Sequence, residues 1–67
     1  MEKSYKVTRA TPATGIEIKH YRAVTILGLK KKVINDGFFP CDVETVGWDG
    51  EPLLFFITKD GYLTKGA

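Results

Sequence analysis

Leu53-Leu54-Phe55-Phe56-Ile57 is a run of consecutive apolar residues in the last third of a 67-residue chain. Side chains on a β-strand alternate between two faces, so a strand with this sequence is apolar on both. A chain of this length has little material with which to cover both faces of a sheet. We therefore expect one face of the sheet to pack under a helix and the other to contact a partner.

Turn residues divide the rest of the chain into short segments. Residues 11–15, Thr-Pro-Ala-Thr-Gly, form the first turn signal, and three Asp-Gly pairs follow at 36–37, 49–50 and 60–61. Asp-Gly suits tight turns because both residues tolerate a positive φ. The segments between the turns alternate apolar and polar residues or are rich in β-formers, which predicts strands. The predicted strands cover residues 5–10, 16–20, 43–48, 53–58 and 62–65.

Residues 21–35 are expected to form a helix, because their apolar residues recur at helical spacings along one stripe. The stripe consists of Ala23, Ile26, Leu27, Val33 and Ile34. Gly37 is typical of a helix end, since glycine readily adopts the left-handed conformation. Gly28 and the β-branched run 24–26 oppose the helix. The alternative is a long second strand that continues to Ile26 and a short helical turn after it.

The resulting order is ββαβββ, which predicts a single α+β domain over residues 1–67: a small antiparallel sheet with one helix packed on one face. A two-residue turn at 60–61 would pair Thr58 with Leu63 and so decide which side chains face the helix. In that register Leu54, Phe56 and Leu63 lie against the helix. The exposed set is then Leu53, Phe55, Ile57 and Tyr62, with Trp48 beside it.

Large apolar side chains on an uncovered sheet face are typical of protein interfaces. The predicted partner-binding residues are Trp48, Leu53, Phe55, Ile57 and Tyr62. Pro52 and Lys59 flank the apolar run as residues that protect an exposed strand from aggregation do.

A basic cluster provides a second candidate surface. It consists of Lys19, Arg22, Lys30, Lys31 and Lys32. Such a cluster can bind nucleic-acid phosphates or an acidic protein surface. The alternative interpretation is a solvated C-terminal half of the helix, where the helix dipole favours cations.

Catalytic and metal-binding patterns are weak in this sequence. His20 and Cys41 are the only histidine and cysteine, and no second base, oxyanion site or further ligand is marked beside them. Ser4, the only serine, lies near the N-terminus. We expect no enzymatic activity, no metal, no cofactor and no small-molecule substrate.

Charge and cysteine content indicate the compartment. The net charge is +2 and the isoelectric point is about 8.8, which permits an acidic partner without requiring one. A lone cysteine fits a reducing compartment. The N-terminal residues contain no apolar signal segment, and no apolar run approaches the length of a membrane span. The expected location is cytoplasmic.

The order of a strand hairpin, a helix and a β-meander resembles the layout of small phage-encoded inhibitors such as some anti-CRISPR proteins. The resemblance implies a binder that blocks a larger protein or nucleoprotein assembly. Together with the residues above, it predicts a protein-binding module that acts through an apolar sheet face and a basic helix and that can self-associate as a homodimer. The alternative is a nucleic-acid-binding module that uses Lys30–Lys32.

Overall fold

The computed structural model describes residues 2–66 of the chain. Within them the strands and the helix follow in the order ββαβββ, which confirms the α+β prediction. The elements are β1 Lys3–Thr11, β2 Gly15–Ala23, α1 Ile26–Asp36, β3 Cys41–Val46, β4 Pro52–Ile57 and β5 Leu63–Lys65. The strands form one sheet in the order β2-β1-β3-β4-β5, and every neighbouring pair is antiparallel.

The helix begins later than predicted, at Ile26 instead of residue 21. Residues 21–23 extend β2 because they continue its pairing with β1, where Tyr21 faces Tyr5. Thr25 then caps the helix, and its hydroxyl accepts a hydrogen bond from the Gly28 N–H at 3.1 Å, which satisfies a backbone donor of the first turn. The structure thus combines both alternatives: the second strand is long, and the helix after it is complete.

The helix ends as predicted. Gly37 has a φ of +70° and donates its N–H to the Ile34 carbonyl at 3.0 Å. A residue with a side chain is strained in this left-handed conformation, whereas glycine is not.

The buried stripe of α1 differs from the predicted one. Leu29 and Val33 are buried and Ile26 is half-buried, a spacing of three and then four residues that suits one helical face. Leu27 and Ile34, which were predicted to be core, are exposed. Ala23 is buried, but in β2. The predicted helix missed Leu29 because its start at residue 21 set the wrong phase.

The later start also changes the position of the lysines. Lys30–Lys32 lie in the middle of α1, and the last turn of the helix contains no basic residue. The prediction that the helix dipole stabilises them at a C-terminal end is therefore wrong, because that effect is confined to the terminal turn.

The core lies between α1 and one face of the sheet. Its sheet residues come from alternate positions on each strand, as the period of two requires. The buried members are Tyr5, Val7, Ala23, Leu29, Val33, Phe38, Cys41, Val43 and Ile57. We call the opposite side of the sheet the open face, because α1 does not cover it.

The β4–β5 hairpin has a longer loop than predicted. The Thr58 N–H donates to the Tyr62 carbonyl at 2.9 Å, and the Gly61 N–H donates to the Thr58 carbonyl at 2.9 Å. Gly61 has a φ of +86°, and no non-glycine residue of the described chain has a positive φ. A type I′ turn needs positive φ at both central residues, so the hairpin uses a three-residue loop with glycine at its left-handed position.

The extra loop residue inverts the predicted faces. Ile57 pairs with Leu63, and a shift of one residue exchanges the two sides of a strand. Ile57 is fully buried on the helix side, where Leu53 and Phe55 are half-buried. Leu54 and Phe56 lie on the open face and are exposed. The prediction that Leu54 and Phe56 form the core while Leu53, Phe55 and Ile57 are exposed is wrong, although Leu63 does lie on the helix side.

A matched pair of leucines tests the phase of α1. Leu29 has no exposed surface and Leu27 is 60% exposed. We expect Leu29→Ala to lower the free energy of unfolding by about 2–5 kcal/mol, because it removes buried methyl groups and leaves a cavity. Leu27→Ala should change it by less than about 1 kcal/mol. Urea denaturation followed by circular dichroism measures both, and equal losses would contradict this packing.

Candidate functional site

A cleft opens where the N-terminal end of α1 meets the β3–β4 turn. It has a volume of about 190 Å³. Its lining combines β1, the start of α1, β3, β4 and the β3–β4 turn: Lys3, Tyr5, Val24, Thr25, Ile26, Thr45, Trp48, Leu53 and Phe55. The floor is apolar on β4, where Leu53 and Phe55 are half-buried.

Trp48 forms one wall of the cleft and is 85% exposed. The turn that carries it is well ordered by hydrogen bonds: Gly47 N–H donates to the Glu51 carbonyl at 2.8 Å, and Gly50 N–H donates to the Gly47 carbonyl at 3.0 Å. The Lys3 ammonium lies 5.1 Å from the centre of the indole ring, within the range of a cation–π interaction. The indole is therefore presented to solvent from a defined turn.

Two further exposed apolar residues adjoin the cleft. Val24 lies just before the helix cap, and Leu27 lies in the first turn of α1. We call Trp48, Val24, Leu27 and the cleft floor of Leu53 and Phe55 the Trp48 surface.

The polar group in the cleft floor is satisfied within the chain. Thr45 is buried, and its hydroxyl donates to the Ser4 carbonyl at 2.9 Å. This bond joins β3 to β1 just beyond their paired residues, Lys6–Thr8 on β1. The floor thus presents little unpaired hydrogen-bonding capacity to an occupant.

The structure brings three of the five predicted partner-binding residues together. Trp48, Leu53 and Phe55 line the same cleft. Ile57 is fully buried in the core and has no surface to offer a partner. Tyr62 is exposed, but its loop lies against the other end of α1, since a Cβ on Gly61 would meet Ile34 at 3.5 Å.

Sequence reasoning missed Val24, Leu27 and Lys3. A signal existed for the first two, because Thr25 is a good helix cap directly before an apolar pattern. A helix that starts there turns Leu27 away from the buried stripe of Ile26 and Leu29. No sequence signal placed Lys3 near Trp48, since the two residues meet only through sheet pairing.

The open face is a second uncovered surface, and its centre is charged. Lys6 of β1 lies directly opposite Glu44 of β3, and Thr8 lies opposite Asp42. Apolar residues occupy the flanks: Ile16 and Ile18 on β2, and Leu54 and Phe56 on β4. Two shallow hollows of about 360 and 420 Å³ lie on this face, and Lys6 and Glu44 line both.

The predicted basic cluster is spread over several directions. Lys32 donates to the Arg22 carbonyl, while the Arg22 side chain lies 3.8 Å from the Glu2 carboxylate. Lys19 lies on the helix side, with its ammonium 4.9 Å from the centre of the Phe38 ring. Lys30 and Lys31 point about 100° apart on α1. These cations do not form one compact basic patch.

His20 and Cys41 lie on opposite sides of the sheet. His20 pairs with Lys6 and projects to the open face, whereas Cys41 is buried under α1. A thiolate–imidazole pair between them is therefore impossible in this fold. Burial, followed by the nearby Asp42 carboxylate, raises the pKa of the Cys41 thiol to about 11. Over residues 2–66, no group of three or more His, Cys, Asp or Glu side chains is placed to hold a metal ion.

A polar cluster anchors the far end of α1. The Arg9 guanidinium donates to the Glu17 carboxylate at 2.7 Å and to the Gly37 carbonyl at 3.2 Å, and it stacks 4.5 Å from the centre of the Phe38 ring. The hydrogen bond from Arg9 lowers the pKa of Glu17.

A second polar contact holds the same end of α1. The Tyr21 hydroxyl donates to Asp36 at 2.9 Å. Burial, together with this bond, raises the pKa of Tyr21 to about 12. Arg9 and Tyr21 thus join the β1–β2 hairpin to the end of the helix.

Comparisons with other proteins do not extend this description. No family model matches the chain, and no curated protein or solved structure is significantly similar to it. In the part of the chain that the structure describes, no helix has the length and apolar character needed to cross a membrane.

The raised pKa of Cys41 predicts slow alkylation. An ordinary thiol is half ionised at pH 9.0, but a pKa of about 11 leaves the folded thiol largely protonated at that pH. Since the thiolate is the nucleophile, we expect the folded protein to react with iodoacetamide at least about fifty-fold more slowly at pH 9 than the unfolded chain. Mass spectrometry of timed samples, with and without guanidinium chloride, measures both rates. Equal rates would contradict the buried, protonated state.

Proposed function

We propose that this chain is a non-enzymatic protein-binding module and that the Trp48 surface contacts the partner. The observation that carries the proposal is an indole that is 85% exposed beside an apolar cleft. Tryptophan is enriched among the residues that dominate binding energy at protein interfaces. Its rigid turn limits the conformational entropy lost on binding, which favours affinity.

The size and chemistry of the cleft favour an apolar side chain of a partner protein as its occupant. At about 190 Å³, the cleft is smaller than the ~300–1,000 Å³ typical of small-molecule sites. Its floor is formed by Leu53 and Phe55, and the Thr45 hydroxyl is already bonded within the chain. An apolar anchor would displace water from this floor and leave no new unpaired polar group.

The layout shared with small phage-encoded inhibitors suggests one use of such a surface, the obstruction of a larger protein or nucleoprotein assembly. That role, the phage origin and the cytoplasmic location stay predictions. The Trp48 surface supports binding to a protein and does not by itself specify which assembly is bound.

A peptide selection tests the proposal without knowledge of the natural partner. Peptides selected from a random displayed library against the wild-type domain should carry a central apolar residue and bind at the cleft. Trp48→Ala should weaken their binding by about tenfold or more, because truncation of such a residue costs more than ~1–2 kcal/mol. Since Trp48 is the only tryptophan, its fluorescence should also shift to shorter wavelength on binding.

Tyr62→Ala is the matched control, because Tyr62 is also an exposed aromatic residue but lies at the other end of α1. It should leave peptide affinity unchanged. Both variants should melt near the wild-type temperature, since neither side chain is buried. Peptides that bind Trp48→Ala as tightly as wild type would contradict the proposed site.

Nucleic-acid binding through Lys30–Lys32 is the second candidate. It is favoured by one observation: within residues 2–66, none of these lysines forms a salt bridge. The spread of the three side chains around α1 weighs against it, because phosphate tracking needs cations along one side.

Replacement of the three lysines tests this candidate. We expect weak, nonspecific binding of single-stranded DNA and RNA by the wild type, measured by fluorescence anisotropy at several salt concentrations. Lys30→Gln/Lys31→Gln/Lys32→Gln should reduce the salt dependence by at most about three phosphate contacts. Submicromolar, sequence-specific binding by the wild type at physiological salt would make this candidate the better one.

A further inference from the structure

We infer that the open face binds a second copy of this chain, sheet against sheet, about a two-fold axis that runs parallel to the strands between β1 and β3. This surface lies on the opposite side of the sheet from the Trp48 surface. The inference therefore does not rest on the proposed function.

Strand pairing arranges the open face in rows that cross β2, β1, β3 and β4 in that order. One row is His20, Lys6, Glu44 and Leu54, and the next is Ile18, Thr8, Asp42 and Phe56. Each row therefore has a donor-bearing side chain on β1 and a carboxylate on β3. Large side chains stand at both ends of each row.

A two-fold axis between β1 and β3 makes these rows complementary to themselves. The rotation lays β1 of one copy over β3 of the other, and β2 over β4. Lys6 then faces Glu44 of the second copy, and Thr8 faces Asp42 of the second copy. At the flanks, Ile18 faces Phe56 of the second copy, so an apolar contact borders each charged one.

Other face-to-face arrangements place like charges together. An axis along β3 would set Glu44 against its own copy, and an axis along β1 would do the same with Lys6. Opposed like charges cost several kcal/mol at an interface, so the charges select one arrangement. Aligned packing of two sheets, with the strands within about 30° of each other, accommodates this geometry.

The size of the face predicts a weak dimer. Four strands at about 4.8 Å spacing and rows that extend over about five residues give a patch roughly 20 Å square. This is less than the ~800 Å² per partner of a standard stable interface. The charged pair also loses hydration on association, so it contributes register more than affinity. We expect a dimer that dissociates on dilution.

Charge reversal in two separate chains tests the arrangement. Sedimentation velocity over a concentration series should show wild-type dimers at high concentration. Lys6→Glu and Glu44→Lys should each weaken the dimer by about tenfold or more, because each places like charges across the axis. A mixture of the two variants should regain wild-type association, since both charged contacts between the copies are then between opposite charges.

The mixture separates an interface role from a structural one. Lys6 and Glu44 are also neighbours within one chain, and each variant keeps its internal like-charge pair when the two are mixed. Recovery on mixing therefore reports only contacts between copies. Trp48→Ala should dimerise as wild type does. A wild type that stays monomeric at millimolar concentration, variants that dimerise normally, or a mixture that fails to recover would each overturn the inference.

Discussion

The organisation of this domain depends on one constraint: a single short helix must cover a wide sheet. An 11-residue helix is about 16 Å long, whereas five strands place the outer strand axes about 19 Å apart. The helix can bury the middle of one face, where Leu29 and Val33 meet Val7 and Val43. It leaves the margin of that face and all of the opposite face to be satisfied in other ways.

The two ends of the helix differ as a result. At its C-terminal end, Arg9 and Tyr21 tie the β1–β2 hairpin to Gly37 and Asp36. At its N-terminal end, Thr25 caps the helix, and an apolar cleft remains beside Trp48. The closed end is built from polar contacts within the chain, whereas the open end exposes apolar surface that an interface can use.

The two uncovered regions differ in chemistry and suit different partners. The Trp48 surface is small, largely apolar and concave, which suits insertion of a side chain from another protein. The open face is broad and has acidic and basic strands side by side, which suits its own copy in an inverted arrangement. A dimer formed through the open face would present the two Trp48 surfaces outward, so each copy would keep its own binding site.

The sequence by itself determined the number, type and order of the elements, because turn signals and alternation are local properties that act within a few residues. It also indicated that Trp48, Leu53 and Phe55 belong to a contact surface. Only the tertiary structure decided which face each side chain occupies. One added residue in the loop before Tyr62 exchanged Phe55 with Phe56, and the cap at Thr25 moved Leu27 out of the core and Leu29 into it. Such phases depend on whole turns and strand pairings, so a small local difference changes every contact that follows.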